Sequence, residues 1–200
     1  SLAPAGRSHC VEGVMESKAK FLGHPIHPIL IVFPLGLLAT SVIFDIVGLV
    51  SQVPRWAEFA TYLTAAGVVG GLLAAVPGTI DWLAIPRGTR AKRVGLIHGV
   101  GNVIVVGLFL VNWLLRRETP AAPPTGSVAA GLIGLGLALV TGWLGGELVG
   151  RLGVGVDDGA NLNAPSSLAR RPARVAYGGQ ERRHFGQPAY AGAERRGRGV

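Results

Sequence analysis

The sequence predicts an all-α integral membrane four-helix bundle that runs on into a disordered basic C-terminal tail. Three observations carry that expectation. Charged residues make up 15% of the 200-residue chain and hydrophobic residues 49%, whereas a soluble domain carries about 25% charged residues. Four apolar runs, 29–50, 59–80, 94–115 and 128–149, alternate with short polar connections, and each is about 22 residues long, enough to cross a hydrocarbon core of roughly 30 Å with slight tilt. From Arg151 onward Gly, Arg, Ala and Pro dominate, with arginine pairs at 170–171, 182–183 and 195–196. Such a segment buries too little apolar surface to offset its chain entropy.

The chain divides accordingly into a polar segment 1–20, a transmembrane domain 21–156 with helices near 28–50, 59–83, 94–116 and 128–150, and an Arg/Gly-rich tail 157–200. Residues 1–20 set Arg7, Lys18 and Lys20 against Glu12 and Glu16. They read either as a short amphipathic helix around 11–21 or as disorder. They lack the apolar core of a secretory signal peptide, so no cleaved leader is expected. A single cysteine, Cys10, excludes an internal disulfide framework and a multi-cysteine metal site.

The first helix opens on Gly23-His24-Pro25-Ile26-His27-Pro28 and continues through Phe33-Pro34. A residue before proline is pushed toward extended backbone, so both imidazoles are expected on a stiff, non-helical lead-in. Pro28 suits the first position of a helix, where its missing N–H costs nothing. Pro34 lies inside the helix, leaves the Leu30 carbonyl without its usual donor, and is expected to kink the segment.

The remaining helices are joined by connections rich in turn residues: Gln52, Pro54 and Arg55; then 86–93; then 116–127 with Pro120, Pro123 and Pro124. One side of the bundle holds Lys18, Lys20, Arg87, Arg90, Lys92, Arg93 and Arg151, the other only Arg55, Arg116 and Arg117. Lysine and arginine accumulate in cytoplasmic loops, so both termini are expected inside a cytoplasmic (inner) cell membrane. Gly67 with Gly71, Gly95 with Gly99 and Gly142 with Gly146 repeat at four-residue spacing, which lets helices approach closely in lipid. Trp56, Trp82, Trp113 and Trp143 stand near helix ends as interfacial anchors. The bilayer is the first partner the chain implies. The tail's arginines suit anionic headgroups, and without a folded nucleic-acid-binding pattern nucleic acid is not expected.

Ionisable groups within spanning segments are costly and mark functional candidates. Consecutive helices alternate in direction. The start of the first, the end of the second, the start of the third and the end of the fourth therefore share one membrane face. At those places stand His24 and His27, Asp81, His98 with Asn102, and Glu147. Asp45 is the exception near the opposite face, with Ser41 one turn before it as a hydrogen-bond partner, or Arg116 or Arg117 as an ion-pair partner.

Three readings of the shared-face cluster follow. In the first, histidines and carboxylates only cap helix ends and tie the bundle together, which makes the chain a non-catalytic scaffold. In the second, His98 with His27 or His24 supplies two axial imidazoles to one haem b within the bundle. In the third, His24, His27, His98, Asp81 and Glu147 hold a non-haem zinc or iron, although no HExxH or ExxH pattern is present. No phosphate-binding loop or nucleophile triad accompanies them, so no enzyme activity is expected of the chain by itself. His9 and His184 read as surface residues of the termini.

The residues that matter most here also carry a resemblance. Gly23-His24-Pro25-Ile26-His27-Pro28 with Phe33-Pro34, Asp81-Trp82, Arg93 with His98 and Asn102, Gly145-Gly146-Glu147-Leu148-Val149, and Gly153-Val154-Gly155-Val156 resemble a bacterial membrane family known as domain of unknown function 2231, over about residues 20–156. The resemblance implies a four-helix membrane architecture. Some relatives are joined to Rieske-type iron–sulfur or cytochrome domains, which implies a redox association and a redox protein partner. A single cysteine does not supply Rieske ligands, so no such domain is expected in this chain itself. The expected function is a haem-binding or redox-associated membrane subunit, with a membrane scaffold as the alternative.

Overall fold

Residues 14–169 are described by a computed structural model, and residues 1–13 and 170–200 lie outside the description. His9, Cys10 and His184 fall outside it, as does most of the tail expected to be disordered. The elements are β1 (Lys20–Phe21), β2 (His24–Pro25), α1 (Ile26–Leu30), α2 (Val32–Ser51), α3 (Pro54–Ala84), α4 (Arg90–Arg116) and α5 (Thr125–Gly150). With α1 and α2 taken as one span, Ile26–Ser51, four helices are long and apolar enough to cross a membrane. The face holding the starts of α1 and α4 and the ends of α3 and α5 is called the near face below.

Neither expectation for the N-terminal segment holds over residues 14–25. They form an extended strap. Met15 pairs with Val154 as an isolated bridge, and β1 and β2 form an antiparallel hairpin with Phe21 opposite His24. The two-residue turn Leu22-Gly23 has both φ values positive, 48° and 85°, the requirement of the tight hairpin turn that matches strand twist.

The helix boundaries follow local chemistry. Pro25 caps α1, and Pro28 sits in its first turn rather than opening it. The helix lapses at Ile31, beside the Leu30 carbonyl that Pro34 leaves without a donor, as the sequence leads one to expect. His27 departs from expectation. It is helical, in α1, while His24 is extended, in β2. The bias of a pre-proline residue is a preference, and in a first turn the proline needs no N–H partner, so the α conformation costs little there. Pro54 occupies the first turn of α3. Thr89 caps α4, its side chain accepting from the Lys92 N–H at 3.1 Å. At 31 residues α3 is about 46 Å long against a hydrocarbon core of roughly 30 Å, so it tilts or projects.

The helices pack as two antiparallel hairpins, α2 with α3 and α4 with α5, and α3 lies against α4. Leu38, Val42, Val68, Val105 and Phe109 form the buried centre. The outward faces are apolar, with Val76, Val103, Leu139 and Trp143 all more than 60% exposed. A bundle that satisfies its backbone internally and turns such side chains outward is suited to lipid. The four-residue glycine pairs divide in use. Gly67 faces Leu38 and Gly71 faces Val106, whereas Gly99, Gly142 and Gly146 have no neighbouring atom within 4 Å of where a Cβ would stand. Residues 159–169 form a separate unit of turns with local hydrogen bonds, such as Asn163 N–H to Asn161 Oδ1 at 2.9 Å.

Candidate functional site

Of the near-face residues, three come together: His27, His98 and Asn102. The His27 and His98 rings lie 6.2 Å apart between centroids at an interplanar angle of 85°. His27 comes from α1 and His98 from α4, so the pair bridges the two hairpins. Each ring is held the same way. His27 Nδ1 lies 2.8 Å from the Ala74 carbonyl on α3, and His98 Nδ1 lies 2.8 Å from the Thr141 carbonyl on α5. A carbonyl can only accept, so each Nδ1 carries a proton and donates it, which leaves Nε2 as the ring nitrogen not engaged in that bond.

The sequence provides for both seats. In each case a glycine stands four residues after the accepting carbonyl. A Cβ on Gly78 would fall 2.8 Å from His27 Nδ1, and one on Gly145 would fall 3.1 Å from His98 Cε1. The missing side chains are what let the rings reach the helix backbone. In α3 the seat lies beside Pro77, whose absent N–H and ring disturb the hydrogen-bond ladder of that turn. The two hairpins thus repeat one device, an imidazole on a carbonyl with glycine at the fourth position beyond it.

Asn102, one turn along α4, donates to the His98 carbonyl at 2.8 Å and accepts from Thr141 Oγ1 at 3.2 Å. Its amide nitrogen lies 3.4 Å from His98 Nδ1 and 3.3 Å from Nε2. Near-equal distances place it over the ring face rather than in line with the Nε2 lone pair. Both histidines are half-buried.

The other three candidates are engaged elsewhere. Asp81, 9% exposed, accepts from Ser17 Oγ at 2.8 and 2.9 Å, from the Lys18 N–H at 2.7 Å and from the Ala19 N–H at 3.2 Å. It fastens the strap to the end of α3. Glu147 pairs with Arg90 at 2.7 Å, joining the end of α5 to the start of α4. His24 is exposed in the hairpin. Among the described residues no group of three or more His, Cys, Asp or Glu is placed to hold a metal ion, so the five-residue non-haem site is not assembled.

At the opposite face the sequence left Asp45 a choice of partners, and the structure gives it Arg116. The guanidinium donates to both carboxylate oxygens at 2.7 Å and to the Ala57 carbonyl at 2.8 Å. Ser41 donates instead to the Leu38 carbonyl of its own helix, at 2.7 Å. The sequence reading missed three further buried polar side chains, Thr64, Asn112 and Ser127, none more than 1% exposed. A polar side chain recurring on the inward stripe of α3 or α4 was the available signal.

Among known protein families, the one described as "Predicted membrane protein (DUF2231)" matches residues 23–158. The chain belongs to this family. The match covers most of the described domain and agrees with the resemblance carried by the His-Pro-x-His-Pro opening. No curated protein and no solved structure matches the chain. In this DUF2231 chain the matched span runs from the hairpin turn to the residue after Asp157, and so takes in both the imidazole pair and the Asp45–Arg116 pair.

Proposed function

We propose that this integral membrane protein acts as a redox-associated subunit in which His27 and His98 would hold one haem b, with a redox protein as its partner. One observation carries the reading: two imidazoles, one from each hairpin, converge at 6.2 Å with both Nδ1–H groups tied to backbone carbonyls. A carbonyl that accepts from Nδ1–H fixes the tautomer and ring orientation of a ligating histidine. The chemistry of the donor set suits the group, since imidazoles are ligands that haem iron takes. Haem held there would supply one-electron transfer. The chain's own part is to present two neutral imidazoles, to hold their orientation through Ala74 and Thr141, and to shield the site with lipid-facing apolar helices. His24 is not part of the pair in this reading. By the lysine and arginine distribution, the near face is cytoplasmic and the membrane is the inner cell membrane.

A second reading has its own observation. Asp81 and Glu147 are both taken up by ties between elements, which is what a scaffold without a cofactor requires. The visible difference spectrum, reduced minus oxidised, of the detergent-solubilised protein from haem-replete cells separates the two. The haem reading expects Soret and α bands that vanish in His98→Ala and in His27→Ala but persist in His24→Ala. No band, with metal content at background, leaves the scaffold.

A further inference from the structure

The imidazole seats are one of several features that the two hairpins share at fixed spacing. Ile26-His27 and Gly36-Leu37 in the first span recur as Ile97-His98 and Gly107-Leu108, each 71 residues further on (98 − 27 = 71). The second and fourth spans match at a spacing of 67 (145 − 78 = 67), where Gly67, Leu72 and Gly78 recur as Gly134, Leu139 and Gly145. Identities this sparse arise by chance in glycine-rich helices. Contacts that map onto one another under the same two spacings do not.

Three contacts within the first hairpin map in this way onto the second. His27 Nδ1 on the Ala74 carbonyl becomes His98 Nδ1 on the Thr141 carbonyl, at 2.8 Å in both. His27 over Gly78 becomes His98 over Gly145. A Cβ on Gly67 would meet Leu38 at 2.5 Å and the Leu37 Cβ at 3.4 Å, and one on Gly134 would meet Phe109 at 2.9 Å and the Leu108 Cβ at 3.5 Å. The difference between the two spacings falls at the opposite-face turns. There α2 runs on past Asp45 to Ser51, whereas α4 ends at Arg116, the equivalent of Asp45. Contacts between the hairpins obey the same rule. His27 meets His98 with ring centroids 6.2 Å apart, Asp45 meets Arg116 at 2.7 Å, and each residue is its partner's equivalent. A residue that touches its own equivalent lies at a two-fold axis. The first and third spans run in the same direction, so that axis lies along the membrane normal.

We infer that α1–α3 and α4–α5 are two copies of one helical unit, and that the inner face of each is a surface that receives a second copy of that unit. The imidazole site exists only where the copies meet, since each brings one imidazole, one accepting carbonyl and one glycine. Joining the copies in one chain lets equivalent positions differ, which identical subunits about a two-fold axis cannot do. Two aspartates or two arginines facing each other at the axis would be buried charges without a partner, a costly arrangement, and Asp45 against Arg116 avoids it. An imidazole can be neutral, so that pair stays alike. The departures from symmetry are local. Pro34, after the lapse between α1 and α2, stands against Val105 in the unbroken α4, and Asp81, which holds the strap, stands against Leu148. The inference is independent of the haem reading.

Exchanging residues between equivalent positions of the full-length protein tests it. Leu38→Phe overfills the core and Phe109→Leu leaves a gap, so each alone is expected to lower the unfolding midpoint in detergent. The two together are expected to unfold above either single variant, because each side chain finds the same glycine beneath it. Asp45→Arg with Arg116→Asp is expected to do likewise, since the Pro124 carbonyl stands at the position equivalent to the Ala57 carbonyl that Arg116 uses. One exchange is apolar and the other charged, so a single kind of local fit does not account for both. An exchanged pair that unfolds no higher than the better of its single variants, in either case, overturns the inference. Where neither single variant folds, a folded exchanged pair supports it and an unfolded one overturns it.

Discussion

Arg116 and Asp45 meet as a two-pronged ion pair, 2.7 Å on both prongs, with both side chains almost wholly withdrawn from the surroundings. The pair links α4 to α2, and through the Ala57 carbonyl to α3. Breaking a buried pair from one side leaves an uncompensated charge and costs about 3–5 kcal/mol, whereas replacing both partners with apolar residues is often neutral. Arg116→Met and Asp45→Leu are therefore each expected to lower the unfolding midpoint of the solubilised protein sharply. The double variant should recover most of the loss. A double variant as unstable as the worse single one would show that the bundle needs the charges themselves.

The two glycine seats predict a contrast within one short stretch. Gly145→Val and Gly78→Val push into His98 and His27 and are expected to cost about 1–3 kcal/mol through forced ring and backbone shifts. Gly146→Val, next door, meets open space and should stay within about 0.5 kcal/mol of the parent, as for other surface changes. Thermal unfolding of the three variants checks this.

Asp81→Asn keeps one acceptor oxygen but puts an amide against Ser17 and the backbone N–H groups of Lys18 and Ala19. A charged acceptor contributes about 1.5–3 kcal/mol per hydrogen bond, so the strap should come free. Amide exchange at Lys18 and Ala19 is expected to speed up, with the interior of α3 unaffected.

The strap also carries a pH dependence. Glu16 has its carboxyl held below its ordinary 4.5, chiefly by the hydrogen bond from Lys20, and then by the Asp158 N–H. Lys20 is raised above its ordinary 10.5, chiefly by the same bond. A lowered acid contributes stability that is present above its unfolded pKa and is lost as pH falls through the folded one. A raised base contributes stability that is present below its unfolded pKa and is lost as pH climbs through the folded one. The gap in unfolding midpoint between the parent and Glu16→Gln should therefore be widest between about pH 5 and 10 and close on either side. The Lys20 and Glu16 side chains are 24% and 39% exposed, so solvent screening keeps the gap small.

Topology gives the last prediction. A reporter fused after Val200 is expected to read cytoplasmic, because Arg87, Arg90, Lys92, Arg93 and Arg151 gather at the near face while the opposite face holds Arg55, Arg116 and Arg117. The structure adds a point to that count. Arg116 is buried against Asp45, so it is not a free loop charge, and the asymmetry is greater than the raw tally.

Spans and turn residues were legible because lipid imposes a length and prolines impose boundaries. Alternation of helix direction was enough to put His27, His98, Asn102, Asp81 and Glu147 on one face. It could not say which of them touch. Depth along a helix is set by residue number, but rotation about its axis is set by packing, and packing turned Asp81 toward Ser17 and Glu147 toward Arg90. His27 became helical because proline in a first turn tolerates it. Thr64, Asn112 and Thr141 went unread because single neutral polar residues hardly disturb an apolar run, although inside a bilayer each must find a partner.

The strap has a consequence for the order of assembly. Met15 exchanges hydrogen bonds with Gly153 and Gly155, at 2.9 and 2.7 Å, just past the end of α5, and Ser17 is fastened to Asp81 at the end of α3. Those partners are synthesised long after the strap has left the ribosome. The Asp81 contacts can form once α3 is made, but the Met15 bonds need residues that follow α5. The strap is therefore fully seated only after all four spans have been synthesised.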